Sequence, residues 1–214
     1  MKVLLFAGAG TSVELGIPAM RRMLEEFQLH LNDLRLSHEV IGALSIAVRD
    51  ETRDMEYVID LIDKVEAGER AKAELGETTD ETKLLTYRAI RGEAEWYVQH
   101  SCEQINVSAA VQAWMPSLRI ASYDQELSFG IGTTNYDRAI EIAASRSNIL
   151  LDDGFEEFLG REYSPWQGKW GLENTALYKL HGSTDWYRGE DDQIIKLRHP
   201  MPLFGGVRVQ PKTS

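Results

Sequence analysis

Short apolar runs, each ended by a glycine or a polar residue, mark the predicted strands of this chain. They cover residues 3–7, 127–131, 148–151 and 176–180, with a weaker candidate at 193–197. Such runs are typical of strands that are buried on both faces of a sheet. Helical patterns separate several of the runs, so the sequence predicts an α/β fold with a mostly parallel, Rossmann-like sheet.

The helical patterns are concentrated between the first two strands. Apolar residues first recur at helical spacing at Met20, Met23, Leu24, Phe27, Leu31 and Leu34. The pattern stays helical from residue 37 to residue 122, and another apolar face comprises Met55, Val58, Ile59, Ile62 and Val65. Gly68 and Gly76 are predicted breaks in this stretch. We expect one domain over residues 1–214, with a helical insertion at about 37–122 between the first and second strands.

The composition limits the classes of function. Apolar residues make up 43% of the 214 residues, and the formal net charge of −11 argues against a nucleic-acid-binding surface. Cys102 is the only cysteine, so the chain forms neither an intrachain disulfide nor a cysteine-based zinc site. No apolar run is long enough for a transmembrane helix. We therefore expect a cytoplasmic protein that binds no membrane and has no direct contact with nucleic acid.

A glycine turn follows the first predicted strand at Gly8-Ala9-Gly10. Such a turn allows the backbone to approach a pyrophosphate closely, with a helix N-terminus facing the anion. The third glycine of the usual dinucleotide fingerprint is absent, because Val13 occupies its position. The turn alone is therefore as consistent with a tight structural turn as with a phosphate site.

Three motifs in order resemble those of sirtuins and their relatives. Gly-Ala-Gly-x-Ser with Gly-Ile-Pro occupies residues 8–12 and 16–18, Thr-x-Asn-x-Asp occupies 133–137, and His-Gly occupies 181–182. Two departures separate the chain from deacylating sirtuins. Ala19-Met20-Arg21 replaces Asp-Phe-Arg, and one cysteine cannot build the zinc module with two cysteine pairs. The chain therefore resembles the bacterial sirtuin-like branch that is associated with anti-phage defence and hydrolyses NAD.

The resemblance implies a site, a substrate and partners. The catalytic residues would be Asn135 and His181. The residues contacting NAD would be Gly8, Ala9, Gly10, Ser12, Ile17, Pro18, Thr133, Thr134, Asp137, Gly182 and Ser183. NAD would be the substrate and no metal ion would take part. A homo-oligomer is implied, as is a partner ATPase or Argonaute-like protein of the same defence system.

Cleavage of the nicotinamide–ribose bond develops positive charge on the ribose and needs little acid catalysis. The Asn135 amide suits positioning of the ribose, and His181 suits acceptance of a proton near neutral pH. Asp137 could orient the ribose, hold a water molecule or stabilise the developing cation. Structural roles remain open for each: a helix cap for Asn135 or Ser12, a hydrogen-bonded structural histidine for His181, and helix-dipole stabilisation for Asp137.

Two further functions stay open at this point, namely NAD-dependent deacylation and the binding of NAD or ADP-ribose without cleavage. Sirtuin relatives also carry a later strand that ends in a Gly-Tyr-Ser-like turn, and no such turn precedes Ser214. We therefore expect that further residues complete the sheet.

Overall fold

The computed structural model of the protein describes residues 2–33, 49–50, 52–123, 128–169, 175–189 and 193–198. Leu34, the predicted strand start at residue 127 and the predicted insertion start near residue 37 lie outside these ranges. Contacts divide the chain into two compact units. One, the sheet unit, comprises Met1–Ile17 and Cys102–Ser214, and the other, the helical unit, comprises Pro18–Ser101.

A four-stranded parallel sheet organises the sheet unit. Its strands are β1 (Lys2–Ala7), β2 (Ser128–Thr133), β3 (Leu151–Asp152) and β5 (Thr175–Lys179), in the spatial order β1-β2-β5-β3. All three pairings are parallel, which confirms the predicted α/β fold with a mostly parallel, Rossmann-like sheet. Four of the five predicted strands belong to this sheet.

The core of the sheet unit lies between the strands and two helices, α5 (Val107–Tyr123) and α6 (Ala139–Arg146). The buried side chains are Ala7, Leu15, Ala110, Trp114, Leu118, Phe129, Ile131, Ala139, Ile140, Ala143, Ala144 and Leu177. The small residues of α6 allow close packing against α5, which also contacts β5. This packing fixes the start of α6, and with it the segment that joins β2 to α6.

A second, antiparallel sheet has one strand between β3 and β5 in the chain and two strands after β5. It comprises β4 (Tyr163–Pro165), β6 (Trp186–Arg188) and β7 (Ile194–Leu197), in the order β4-β7-β6. The sequence predicted only β7, because three-residue strands are too short to display alternation. β3 is also shorter than its predicted range of 148–151, since Asn148 takes a left-handed conformation with φ of 55° just after α6.

The helical unit contains α2 (Met20–Asp33), α3 (Met55–Glu74) and most of α4 (Glu81–Glu103), whereas the four-residue α1 (Gly10–Val13) belongs to the sheet unit. The predicted apolar residues Met23, Phe27 and Val58 are buried in it. Gly68 was wrongly predicted as a break, since it lies inside α3, whereas Gly76, with φ of 73°, follows the end of that helix. The limits of about 37–122 for the insertion stay a prediction. No helix among the described residues is long and apolar enough to cross a membrane.

Candidate functional site

The three motifs follow strands that end at the same edge of the parallel sheet. Ala7 is in register with Thr133, and Thr133 is in register with Lys179, so β1, β2 and β5 end at the same level. The pairing continues just beyond the strands: Thr134 N donates to Ala7 O at 3.4 Å, and Leu180 N donates to Thr133 O at 2.8 Å. The segments after these strands therefore lie side by side, at the edge where open α/β sheets bind ligands.

Backbone hydrogen bonds close the glycine turn, and the described residues leave space beside its two glycines. Thr11 N donates to Gly8 O at 3.0 Å, and Ser12 N donates to Ala9 O at 3.1 Å. A Cβ atom at Gly8 or Gly10 would meet no described atom within 4 Å, so packing within the described chain does not require glycine there. The open space is what a ligand that approaches the backbone needs.

The Asn135 side chain joins the second motif to the glycine turn. Its Nδ2 lies 3.1 Å from Gly8 O, 3.1 Å from Thr11 Oγ1 and 2.8 Å from Ser12 Oγ. Because a carbonyl oxygen only accepts hydrogen bonds, contact with Gly8 O fixes which end of the amide faces the turn. Within the described ranges Oδ1 accepts no hydrogen bond, so this acceptor is available on the other side of the amide.

Ser12 and Asp137 are buried beneath that amide and bind each other. Ser12 Oγ donates to Asp137 Oδ2 at 2.6 Å, and Asp137 Oδ1 accepts from Ala139 N at 2.9 Å. Asp137 therefore binds an N–H group at the start of α6, while the Asn135 side chain points to the glycine turn instead. The geometry assigns the Ser12 hydroxyl to the contact between Asn135 and Asp137.

His181 is partly buried in the turn that follows β5, and its ring centroid lies 6.1 Å from that of Tyr136. Gly182, with φ of 93°, allows the chain to turn back here. Ser183 Oγ lies 3.4 Å from Tyr136 O, and Thr184 N donates to the same oxygen at 3.1 Å. The His181 turn is therefore bound to the residue that follows Asn135.

Other residues predicted to contact NAD occupy different positions. Thr133 is buried and its Oγ1 accepts from Asn135 N at 3.0 Å. Ile17 is a buried core residue whose N–H donates to Ser12 O at 3.2 Å. Pro18 is the first residue of the helical unit, so the sheet-unit geometry does not include it. Direct contacts of these residues with NAD stay a prediction.

Two buried groups near the site were not predicted to belong to it. Lys179 reaches the carbonyl oxygens of Tyr136 and Asp137 from the end of β5. Its signal in the sequence is a lysine inside an apolar run, because a buried lysine requires partners.

The second buried group is the Cys102 thiol. Burial, with the charge of Asp137 adding to it, raises the pKa of this thiol to about 12. The thiol is therefore protonated at neutral pH and is a poor nucleophile.

No group of three or more His, Cys, Asp or Glu side chains in the described part of the chain is arranged to hold a metal ion. The edge of the parallel sheet instead offers amide, hydroxyl and imidazole groups beside an open backbone turn. These groups can bind the hydroxyls and phosphates of a nucleotide through hydrogen bonds.

Residues 130–198 match the family model of the SIR2-like domain. The match includes the Asn135 and His181 segments and leaves out the glycine turn. It supports a sirtuin-like protein, in a family whose members are generally NAD-dependent enzymes. A search of curated proteins finds no match to the chain.

Proposed function

We propose that this protein is an NAD hydrolase that cleaves the nicotinamide–ribose bond. The observation that carries the proposal is the Asn135 amide, whose nitrogen is bound to the glycine turn and whose Oδ1 is left as an acceptor. The His181 turn is bound to the neighbouring residue, Tyr136. A nucleotide bound at the glycine turn would thus lie beside the segments that carry an amide acceptor, Asn135 Oδ1, and an imidazole, His181.

The reaction needs water, NAD and a proton acceptor. The electron pair of the C1′–N bond leaves with nicotinamide, which becomes neutral, and a water oxygen forms the new bond to C1′. The water loses one proton, and His181 is the proposed acceptor. Asn135 would hold a ribose hydroxyl so that C1′ faces the water, which is a positioning contribution. The products are nicotinamide, ADP-ribose and a proton.

The biological role belongs to the same proposal. We infer a cytoplasmic, homo-oligomeric effector of anti-phage defence that depletes NAD when triggered, with an ATPase or Argonaute-like protein of the same system as its partner. The resemblance of the three motifs and the SIR2-like match support the NAD chemistry, and the resemblance alone supports the defence role.

The test measures nicotinamide and ADP-ribose released from NAD by the purified chain, and NAD loss in cells that express it. We expect the two products in equal amounts. His181→Ala and Asn135→Ala should each lower turnover by about 100-fold or more. Asn106→Ala is a matched control, because Asn106 Oδ1 accepts from Ala109 N at the start of α5. It should destabilise the fold by about 1 kcal/mol and leave turnover per folded molecule unchanged.

Two results would contradict the proposal. Wild-type turnover in both His181→Ala and Asn135→Ala would show that these two residues do not form the catalytic site. Nicotinamide release that requires an acyl-lysine peptide, lost in step with NAD, would identify a deacylase instead.

A further inference from the structure

Lys179 carries a charged amine into the interior beside the proposed site. Its side chain is only 1% exposed, and Glu141 Oε1 lies 3.1 Å from Nζ. The other two partners of Nζ are main-chain oxygens, Tyr136 O at 3.4 Å and Asp137 O. A lysine ammonium has three N–H donors, and these three acceptors account for all of them. The amine therefore has no donor left for a substrate.

One carbonyl oxygen links the two halves of the site. Tyr136 O, which directly follows Asn135 in the chain, is contacted by Lys179 Nζ, by Ser183 Oγ and by Thr184 N. Lys179 precedes His181 by two residues, whereas the other two donors follow it. The segments on both sides of His181 are thus bound to the same peptide group beside Asn135.

We propose that Lys179 is a positioning residue that sets the Asn135 segment against the His181 turn. The inference rests on the proposed function, because it concerns the geometry of that same pair. Lys179 is in register with Thr133, and its Nζ reaches the carbonyl oxygens of Tyr136 and Asp137 in the loop after β2. Loss of its contacts would leave Asp137 O without this donor and Tyr136 O with only Ser183 Oγ and Thr184 N, so the Asn135 segment would be held less firmly against the His181 turn.

A second substitution, at Glu141, separates the effect of Lys179 on turnover from its effect on the stability of the fold. The Glu141 side chain is 11% exposed, and Oε2 is buried with no hydrogen bond from the described residues. Removing one member of a buried ion pair is more harmful than removing both. Lys179→Met alone leaves the carboxylate unpaired, whereas Lys179→Met/Glu141→Met removes both charges. The double variant should therefore recover stability, but it cannot restore contacts to Tyr136 O and Asp137 O.

The experiment measures kcat, KM for NAD and unfolding for both variants. We expect kcat to fall by about 10- to 100-fold in each, with KM within about threefold of wild type, because orientation rather than binding is lost. The double variant should regain stability without regaining kcat. Recovery of kcat together with stability would overturn the proposal, as would wild-type kcat in Lys179→Met. A rise in KM alone would overturn it too, since it would indicate a substrate contact.

A matched control is Lys72→Met in the helical unit. Lys72 Nζ donates to Glu69 Oε1 at 2.8 Å, and Glu69 is only 4% exposed, so this lysine also pairs with a buried glutamate. The control should change stability and leave both kcat and KM unchanged. A fall in kcat as large as that of Lys179→Met would overturn the proposal, because loss of a lysine–glutamate pair far from Asn135 in the sequence would then suffice.

Hydrogen exchange separates this proposal from the proposed function, since it requires no turnover. Lys179→Met should increase amide exchange in peptides that cover residues 134–141 and 180–186, and Lys72→Met should not. Faster exchange there would support the positioning role even in a chain that releases no nicotinamide, and the hydrolase would then be judged by its own assay. Unchanged exchange would overturn the positioning role whatever the chain catalyses.

Discussion

The Asn135 amide nitrogen lies 2.8 Å from the Ser12 hydroxyl, although 123 residues separate the two in the sequence. The direction of this hydrogen bond is fixed by the next one. Asp137 Oδ2 lies 2.6 Å from Ser12 Oγ, and the hydroxyl proton goes to this carboxylate, so the hydroxyl oxygen accepts from Asn135. The first and second motifs therefore define each other's geometry, and the Asn135 amide is oriented by a carboxylate that it does not touch.

Replacement of Ser12 by alanine tests this chain of hydrogen bonds. Ser12→Ala leaves a buried Asp137 oxygen without its donor, so we expect a loss of about 1–3 kcal/mol in the free energy of unfolding. Turnover of NAD per folded molecule should fall by about tenfold, since Asn135 keeps two of its three partners. Denaturant unfolding and nicotinamide release measure the two effects.

Thr86→Ala is the matched control for Ser12→Ala. The Thr86 hydroxyl donates to Thr82 O at 2.9 Å on the exposed surface of α4, so its loss should affect neither stability nor turnover appreciably. If Ser12→Ala lowers stability and keeps wild-type turnover per folded molecule, the hydroxyl does not orient Asn135.

The parallel sheet was predictable because each of its strands overlaps an apolar run in the sequence. The common level of Ala7, Thr133 and Lys179 then follows from parallel pairing, which brings the three motifs to one edge. The antiparallel sheet was less predictable, since β4 and β6 have three residues each and β4 ends at Pro165. Their pairing depends on contacts with β7, which local pattern cannot indicate.

The sequence motifs indicate candidate site residues but not the contacts between them. Asn135 and His181 stand out by motif, but no spacing indicates that Asp137 binds Ser12, 125 residues earlier. The same holds for Lys179, whose three partners come from the loop after β2 and from α6. These contacts arise from the order of the strands in the sheet, which the local sequence pattern does not indicate.

Gly154 should be far less replaceable than Gly160, although both have φ of 84°. A Cβ atom at Gly154 would lie 1.9 Å from Trp166 Cζ3, whereas one at Gly160 would meet no described atom within 4 Å. Gly160→Ala should therefore lose about 1 kcal/mol of unfolding free energy from backbone strain alone. Gly154→Ala should lose a further 1–3 kcal/mol or so through the clash. Equal losses in thermal or denaturant unfolding would show that Trp166 moves away freely.

Cys102 should be unreactive in the folded protein. Its thiol is buried and has a pKa of about 12, so almost none is thiolate at about pH 8. Labelling by a thiol reagent should be slow in buffer and should become fast and stoichiometric in denaturant, when the pKa returns towards its usual value. Because Cys102 is the only cysteine, the label reports on this position alone. Rapid labelling without denaturant would contradict the burial of Cys102.

Lys196 should stabilise the fold in a way that depends on pH. Burial by itself lowers the pKa of Lys196, but the charges of Asp153 and Asp185 outweigh it and raise the pKa above 10.5. Asp185 is completely buried and pairs both with Lys196, at 4.0 Å, and with Arg138, at 3.0 Å. Its charge in the interior is therefore balanced by these two cations. At neutral pH, Lys196→Met should cost about 3 kcal/mol of unfolding free energy, because it leaves buried carboxylates short of positive charge.

The sign of the pH dependence follows from the raised pKa. A lysine whose pKa is higher in the folded than in the unfolded state contributes its full stabilisation of the fold at any pH below the unfolded-state pKa. This contribution disappears as the pH rises through the folded-state pKa. The difference between wild type and Lys196→Met should therefore be constant from about pH 7 to about pH 9 and narrow towards about pH 11. Urea unfolding across this range measures it, with Lys64→Met as control, because the exposed Lys64–Asp60 pair should contribute little at any pH. A difference that stays constant or widens at high pH would show that Lys196 acts through packing of its side chain rather than through its charge.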